Sequence, residues 1–112
     1  MSSGYPVNAL DGNGVPLNSS ASSDGSVNIT SGGVAQTLVA ADATRVTLNV
    51  FNPHGSENLW IAINGITAAA NGLGSLCLGP LQGASFTGGE AKTAVSIVAA
   101  TTGHPVTVSV GH

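Results

Sequence analysis

The chain is 112 residues long and carries two cations, Arg45 and Lys92, against five acidic residues. Neutralising a run of phosphates takes several Lys or Arg side chains, so the charge count excludes nucleic acid and anionic membrane surfaces as partners. Gly, Ser, Thr and Asn supply 48 of the 112 residues and charged residues only 6%, where about 25% is usual. One small domain is expected, with much of its surface covered by something else.

The first 26 residues show no helical or alternating pattern. Gly4, Pro6, Gly12, Gly14 and Pro16, the Asn18–Ser23 run and Asp24-Gly25 break the chain repeatedly, which predicts an extended N-terminal arm over residues 1–26. Tyr5, Val7, Leu10, Val15 and Leu17 recur through it as apolar anchors, and a solvated linker has no need of them. They are candidate interface residues. The start, Met1-Ser2-Ser3-Gly4-Tyr5-Pro6, has neither a basic nor an apolar signal region, and no segment reaches 18 apolar residues; a soluble product made in the cytoplasm is expected.

Over residues 27–112 short alternating runs are punctuated by turn residues, the mark of an all-β body. Val27 to Thr30 and Val34 to Leu38 are weak strands. Arg45 to Asn52 is the strongest: Val46, Leu48 and Val50 share one face, and Thr47, Asn49 and Phe51 the other. Leu59 to Ile63 follows with Trp60 and Ala62 on its second face, closed by the turn pair Asn64-Gly65, which accepts positive φ at low cost. Ser75 to Leu78, Ala84 to Thr87, Val95 to Ala100 and Val106 to Val110 complete the set, with single helical turns allowed at Asp42 to Thr44 and Thr67 to Ala70. About eight strands at this spacing predict an antiparallel two-sheet β-sandwich, with a jelly roll among the topologies it allows.

Chemistry is scarce. Nearly all titratable residues fall in predicted turns, and no Gly-x-Ser-x-Gly elbow accompanies the thirteen serines. Cys77, between Leu76 and Leu78, reads as a small buried hydrophobe. His54 and His104 each adjoin a proline; they would approach one another if their strands were neighbours, but no Cys or His pair lies within five residues, so they read as surface or contact residues without zinc. Asp11-Gly12-Asn13-Gly14 lacks the later carboxylate of a calcium loop. No catalytic residue, cofactor or metal is expected. Trp60 and Phe51 are read as core or interface aromatics and join the arm residues as interface candidates.

Three segments carry a resemblance. Arg45 to Gly65 (RVTLNVFNPHGSENLWIAING), the Leu-x-x-Gly-Pro stretch Leu76 to Pro80, and Ala94 to Val110 (AVSIVAATTGHPVTVSV), with Gly32 to Leu38 as an opening strand, resemble small structural proteins of tailed bacteriophages over about residues 30 to 110. The matching places are Asn52-Pro53-His54-Gly55-Ser56-Glu57-Asn58 and Thr101-Thr102-Gly103-His104. The resemblance implies a virion part, most often a head decoration or cement protein on the capsid surface. Its implied partners are the major capsid protein and further copies of itself as dimer or trimer. Neck, tail or fibre attachment, or a carbohydrate- or receptor-binding module, is the alternative.

Overall fold

The computed structural model describes residues 22–112. They form nine strands: β1 (Ser22–Asp24), β2 (Val27–Asn28), β3 (Gln36–Val39), β4 (Thr47–Phe51), β5 (Leu59–Ala62), β6 (Leu76–Leu78), β7 (Gly83–Thr87), β8 (Val95–Val98) and β9 (Pro105–Gly111), with one 3₁₀ turn, Glu90–Lys92. Every pairing is antiparallel. One sheet runs β1-β9-β4-β7, with β2 continuing the edge begun by β1; the other runs β3-β8-β5-β6.

The pairings are nested. Asp24 opposes Ser109, Gln36 opposes Ile97, Thr47 opposes Thr87 and Leu59 opposes Leu78. The chain is thus one long antiparallel ribbon, folded back at residues 63–75 and wrapped so that its successive pairs alternate between two sheets. Counting β1 and β2 as one interrupted strand, this is jelly-roll connectivity, which settles a topology that alternation alone left open. The interruption is local: Gly25 N donates to Val108 O and Ser26 Oγ accepts from Val108 N, so a side chain takes over one rung of the ladder.

Alternation sets the core. Leu48 and Val50, Val106 and Val108, and Phe86 point inward from the first sheet; Leu38, Leu59, Ile61, Leu78, Val95 and Ile97 meet them from the second. Inward and outward residues separate as a period of two requires. Outside the second sheet, Ala62 and Val98 form a smaller apolar cluster with Ala68, Ala35 and Trp60, held by the Ala68 N–H donated to Ser96 Oγ. The Asn64-Gly65 turn forms with φ of 63° and 75°, the left-handed pair of a type I′ turn, closed by Ile66 N to Ile63 O.

Several expectations are corrected. Ser22–Asp24 pairs with β9, so the sheet begins inside the segment assigned to the arm; its Ser-rich composition hid a short edge strand whose residues are all exposed. Neither proposed helical turn forms a helix, and the single 3₁₀ turn lies at Glu90–Lys92. Cys77 is exposed, because β6 is an edge strand and Cys77 faces outward opposite Trp60. The remaining arm residues, Tyr5, Val7, Leu10, Val15 and Leu17, lie outside the described residues.

The end of the sandwich that carries residues 40–46 and 88–94 is built on the chain's two cations. Arg45 is 3% exposed, and its guanidinium donates to Ala91 O, to Ala40 O at 3.1 Å and to Thr93 O at 2.7 Å. Lys92 Nζ donates to Arg45 O at 2.7 Å. Both cations are thus consumed in tying loops together, and no basic patch is left. Lysine cannot reproduce the guanidinium fork, so Arg45→Lys should cost about 2 kcal/mol or more, read as a lowered urea midpoint with an unchanged m-value.

Asp42 sits beside this knot. Its Oδ1 accepts from the Thr44 hydroxyl and amide, and its Oδ2 bonds His112 at 3.0 Å. The Thr44 hydrogen bonds, with His112 adding to them, hold the carboxyl well below the usual carboxylate range. A depressed folded pKa gives stability that is present above the unfolded value, about 4, and is lost as pH falls. The stability gap between wild type and Asp42→Asn should therefore be larger near about pH 6 than near about pH 3, measured by urea unfolding across that range.

Candidate functional site

The opposite end gathers the loops after β2, β4, β6 and β8. Ile29 N donates to His104 O, Gly103 N to Ile29 O and Gly33 N to Ala99 O, while Gly32 N donates to Thr102 Oγ1. Gly32 is needed there, because a Cβ at that position would run into Ala100 O and lie 2.8 Å from Thr102 N.

Asn52 organises this end. It is fully buried. Its backbone N–H donates to Gln82 O and its carbonyl accepts from Leu81 N. The side-chain amide shares its two protons among Glu57 O (2.8 Å), Leu78 O (2.9 Å) and Gly79 O (3.1 Å). That fixes Oδ1 as the acceptor, and it receives the His54 N–H and His104 Nε2, the latter at 2.8 Å. His104 therefore carries its proton on Nε2.

Around that pair lie the other polar groups. The His54 and His104 rings stack with centroids 4.8 Å apart. His54 Nδ1 accepts from the Ser56 and Glu57 amides, each at 3.1 Å. Glu57 Oε2 accepts from the Thr101 hydroxyl at 2.8 Å. Glu57 Oε1 and His104 Nδ1 are buried without a hydrogen-bond partner and lie 3.5 Å apart, with His54 Nε2 3.9 Å from the same oxygen. The Thr101 hydrogen bond, foremost, lowers the Glu57 pKa; burial, only partly offset by Glu57, pushes His104 down.

The sequence reading foresaw that His54 and His104 could meet, and they do. Its view of both as surface or contact residues fails for His104, which is 2% exposed; the buried Asn52 carbonyl supplies the partner that makes this burial tolerable. Glu57, Asn52 and Thr101 have no site role on sequence grounds, although all three stand in the two turns that carry the resemblance. The signal available was the Asn-Pro-His turn and the Thr-Thr-Gly-His turn, which nesting of the strands brings face to face.

Phe51 and Trp60 do not share a surface. Phe51 lies outside the first sheet against Gly83, whereas Trp60 lies outside the second. Trp60 floors an apolar groove of about 520 Å³ with Ala35, Ala68, Val98 and Ala100, and Glu57 and Asn58 stand at its rim.

A third surface feature is the flank formed by the edge strands β6 and β7. No Asp, Glu, Lys, Arg or His occurs anywhere from Asn58 to Gly89. Ile66, Leu76 and Leu81 are exposed there, and Leu73 is 98% exposed at the fold-back. Charge is the usual protection of an edge strand, and this flank has none. No protein-family model matches the chain, and no curated protein is significantly similar to it.

Asn52→Ala would strand His104 Nε2 and three carbonyls at once. It should cost about 3 kcal/mol or more, visible as a lowered denaturation midpoint, while Asn58→Ala on the exposed rim should stay within about 0.5 kcal/mol of wild type.

Proposed function

We propose that the protein is a structural component of a bacteriophage virion, a jelly-roll module that decorates and cements the capsid shell through contacts with the major capsid protein and with further copies of itself. The observation that carries this reading is the uncharged flank of β6 and β7. An isolated domain with two edges that no described strand pairs, free of charge and bearing exposed leucines, risks open-ended association; a place in a repeating lattice covers that surface and makes its lack of charge useful. The resemblance of residues 30 to 110 to tailed-phage structural proteins supports the same reading; two of its matching places, Asn52 to Asn58 and Thr101 to His104, hydrogen-bond to one another in the fold.

Mechanically, such a module acts by mass action. A domain that binds only the assembled lattice stabilises it by RT ln(1 + [L]/Kd) per site. The flank supplies backbone groups for strand addition and leucines for burial. The arm, with Tyr5, Val7, Leu10, Val15 and Leu17, supplies a second apolar contact.

The Trp60 groove favours a second reading, a sugar-binding module on a neck or fibre. An aromatic floor with Glu57 and Asn58 at its edge combines a stacking surface with polar groups.

The test uses capsids lacking the protein. Full-length chain should bind them saturably and raise their heat resistance. Leu73→Asp and Leu81→Lys should each weaken binding at least tenfold while the folded domain keeps its thermal midpoint, because these two are the most exposed leucines of the flank, and deletion of residues 1–21, which spares β1, should also weaken it. If all three variants bind and protect like wild type, the cementing role is wrong. Loss of glycan binding in Trp60→Ala, with capsid binding intact, would favour the second reading.

A further inference from the structure

Among the described residues, two buried side-chain atoms without a hydrogen-bond partner, His104 Nδ1 and Glu57 Oε1, lie 3.5 Å apart, and both are lone-pair acceptors. Asn52 commits its amide protons to three carbonyls, so His104 Nε2 holds the ring proton and Nδ1 presents a lone pair. Thr101 occupies Glu57 Oε2, and Oε1 is left bare. Two acceptors aimed at one another repel unless something positive stands between them.

The separation identifies what fits. A direct N–H···O bond spans about 2.7 to 3.2 Å, shorter than the 3.5 Å observed. Two zinc bonds of about 2.0 to 2.1 Å meeting at a tetrahedral angle hold their ligand atoms about 3.3 Å apart. We propose that His104 Nδ1 and Glu57 Oε1, joined by His54 Nε2, form a binding site for a divalent transition-metal ion of the zinc type.

The surrounding groups are those such a site requires. A ligating imidazole donates its other N–H to an oxygen, and a ligating carboxylate is held by a further hydrogen bond; Asn52 Oδ1 and the Thr101 hydroxyl fill those places. The pKa directions agree, because an ionised Glu57 and a neutral His104 are the forms that coordinate. The three donor atoms lie within 4.8 Å of one another. Entry is open, since the Glu57 and His54 side chains are 35% and 29% exposed.

His54 has to change tautomer. Its Nδ1 now accepts two amides, which leaves the proton on Nε2; ligation moves that proton to Nδ1 and releases both amide bonds, so residues 54–57 have to shift as the third ligand engages. The site is therefore preset at two ligands and completed by the third, with water in the open position. An ion there would staple the loop after β4 to the loop after β8. Sequence spacing hides the site, because the two histidines are far apart in the chain.

The experiment is a calorimetric titration of chelator-treated full-length protein with Zn²⁺ alone, repeated with Co²⁺ for its absorption spectrum. Expected are one ion per chain, a tetrahedral Co²⁺ spectrum, and a higher thermal midpoint with zinc. Glu57→Gln should weaken binding at least tenfold, and Thr101→Val about tenfold through the lost orienting bond. Cys77→Ser should bind like wild type. Glu57 and Thr101 are at the surface, so these variants remain informative if His104→Gln fails to fold. Absence of saturable binding at one ion per chain, unchanged affinity in Glu57→Gln, or loss of binding in Cys77→Ser would each overturn the proposal.

Discussion

One side-chain amide holds together the end of this molecule where His54, Glu57 and His104 meet. Asn52 directly follows β4, an inner strand that packs Leu48 and Val50 into the core, and its amide reaches the Glu57 carbonyl, the end of β6 and the ring of His104. In a wrapped ribbon these segments belong to three separate crossings between the sheets, and a sandwich core does not by itself fix how such crossings sit. A buried amide with all its hydrogen-bonding capacity used does so, because any displacement leaves several polar groups unpaired in a dry interior. The orientation of His104, the position of Glu57 and the stacking of the two imidazoles follow from it.

The other end reaches the same result by another route. There the constraint is charge: a guanidinium buried without a carboxylate, satisfied by the carbonyls of Ala40, Ala91 and Thr93. Spending both cations on loop closure has a consequence for the surface. The flank of β6 and β7 carries no charge of either sign, and its Leu73, Leu76 and Leu81 are exposed among the described residues. Hydrogen-bonded loops at the two ends and an uncharged flank on one side thus come from one distribution of few charges. That is the pattern suited to a protein that works inside a repeating assembly.

Much of this was legible in the sequence. Arg45 to Asn52 and Leu59 to Ile63 alternate so cleanly that both strands, their two-faced character and the turn at Asn64-Gly65 could be read directly, because a half-buried strand imposes a period of two; only Val46, exposed just before β4, leaves the face assigned to it. Ser22–Asp24 was not legible, since an exposed edge strand has no buried face to pattern it. Cys77 misled because leucines on both sides look like a core, whereas on an edge strand only alternate residues point inward. The Asn52, Glu57, Thr101 and His104 group was invisible for a different reason. Its members contact only after the ribbon wraps, and the nested order of pairing is a property of the whole chain that no local window carries.

The network makes one statement that can be read at a single atom. With three carbonyls claiming the Asn52 amide protons, His104 must be the Nε2–H tautomer, with Nδ1 bare toward Glu57. Long-range ¹H–¹⁵N correlation spectroscopy of the imidazole rings in chelator-treated protein at neutral pH observes this directly. The account predicts a protonated Nε2 and an unprotonated Nδ1 for His104, and a shift of Nδ1 alone when Zn²⁺ is added. A proton on Nδ1, or rapid exchange between the two tautomers, would contradict it.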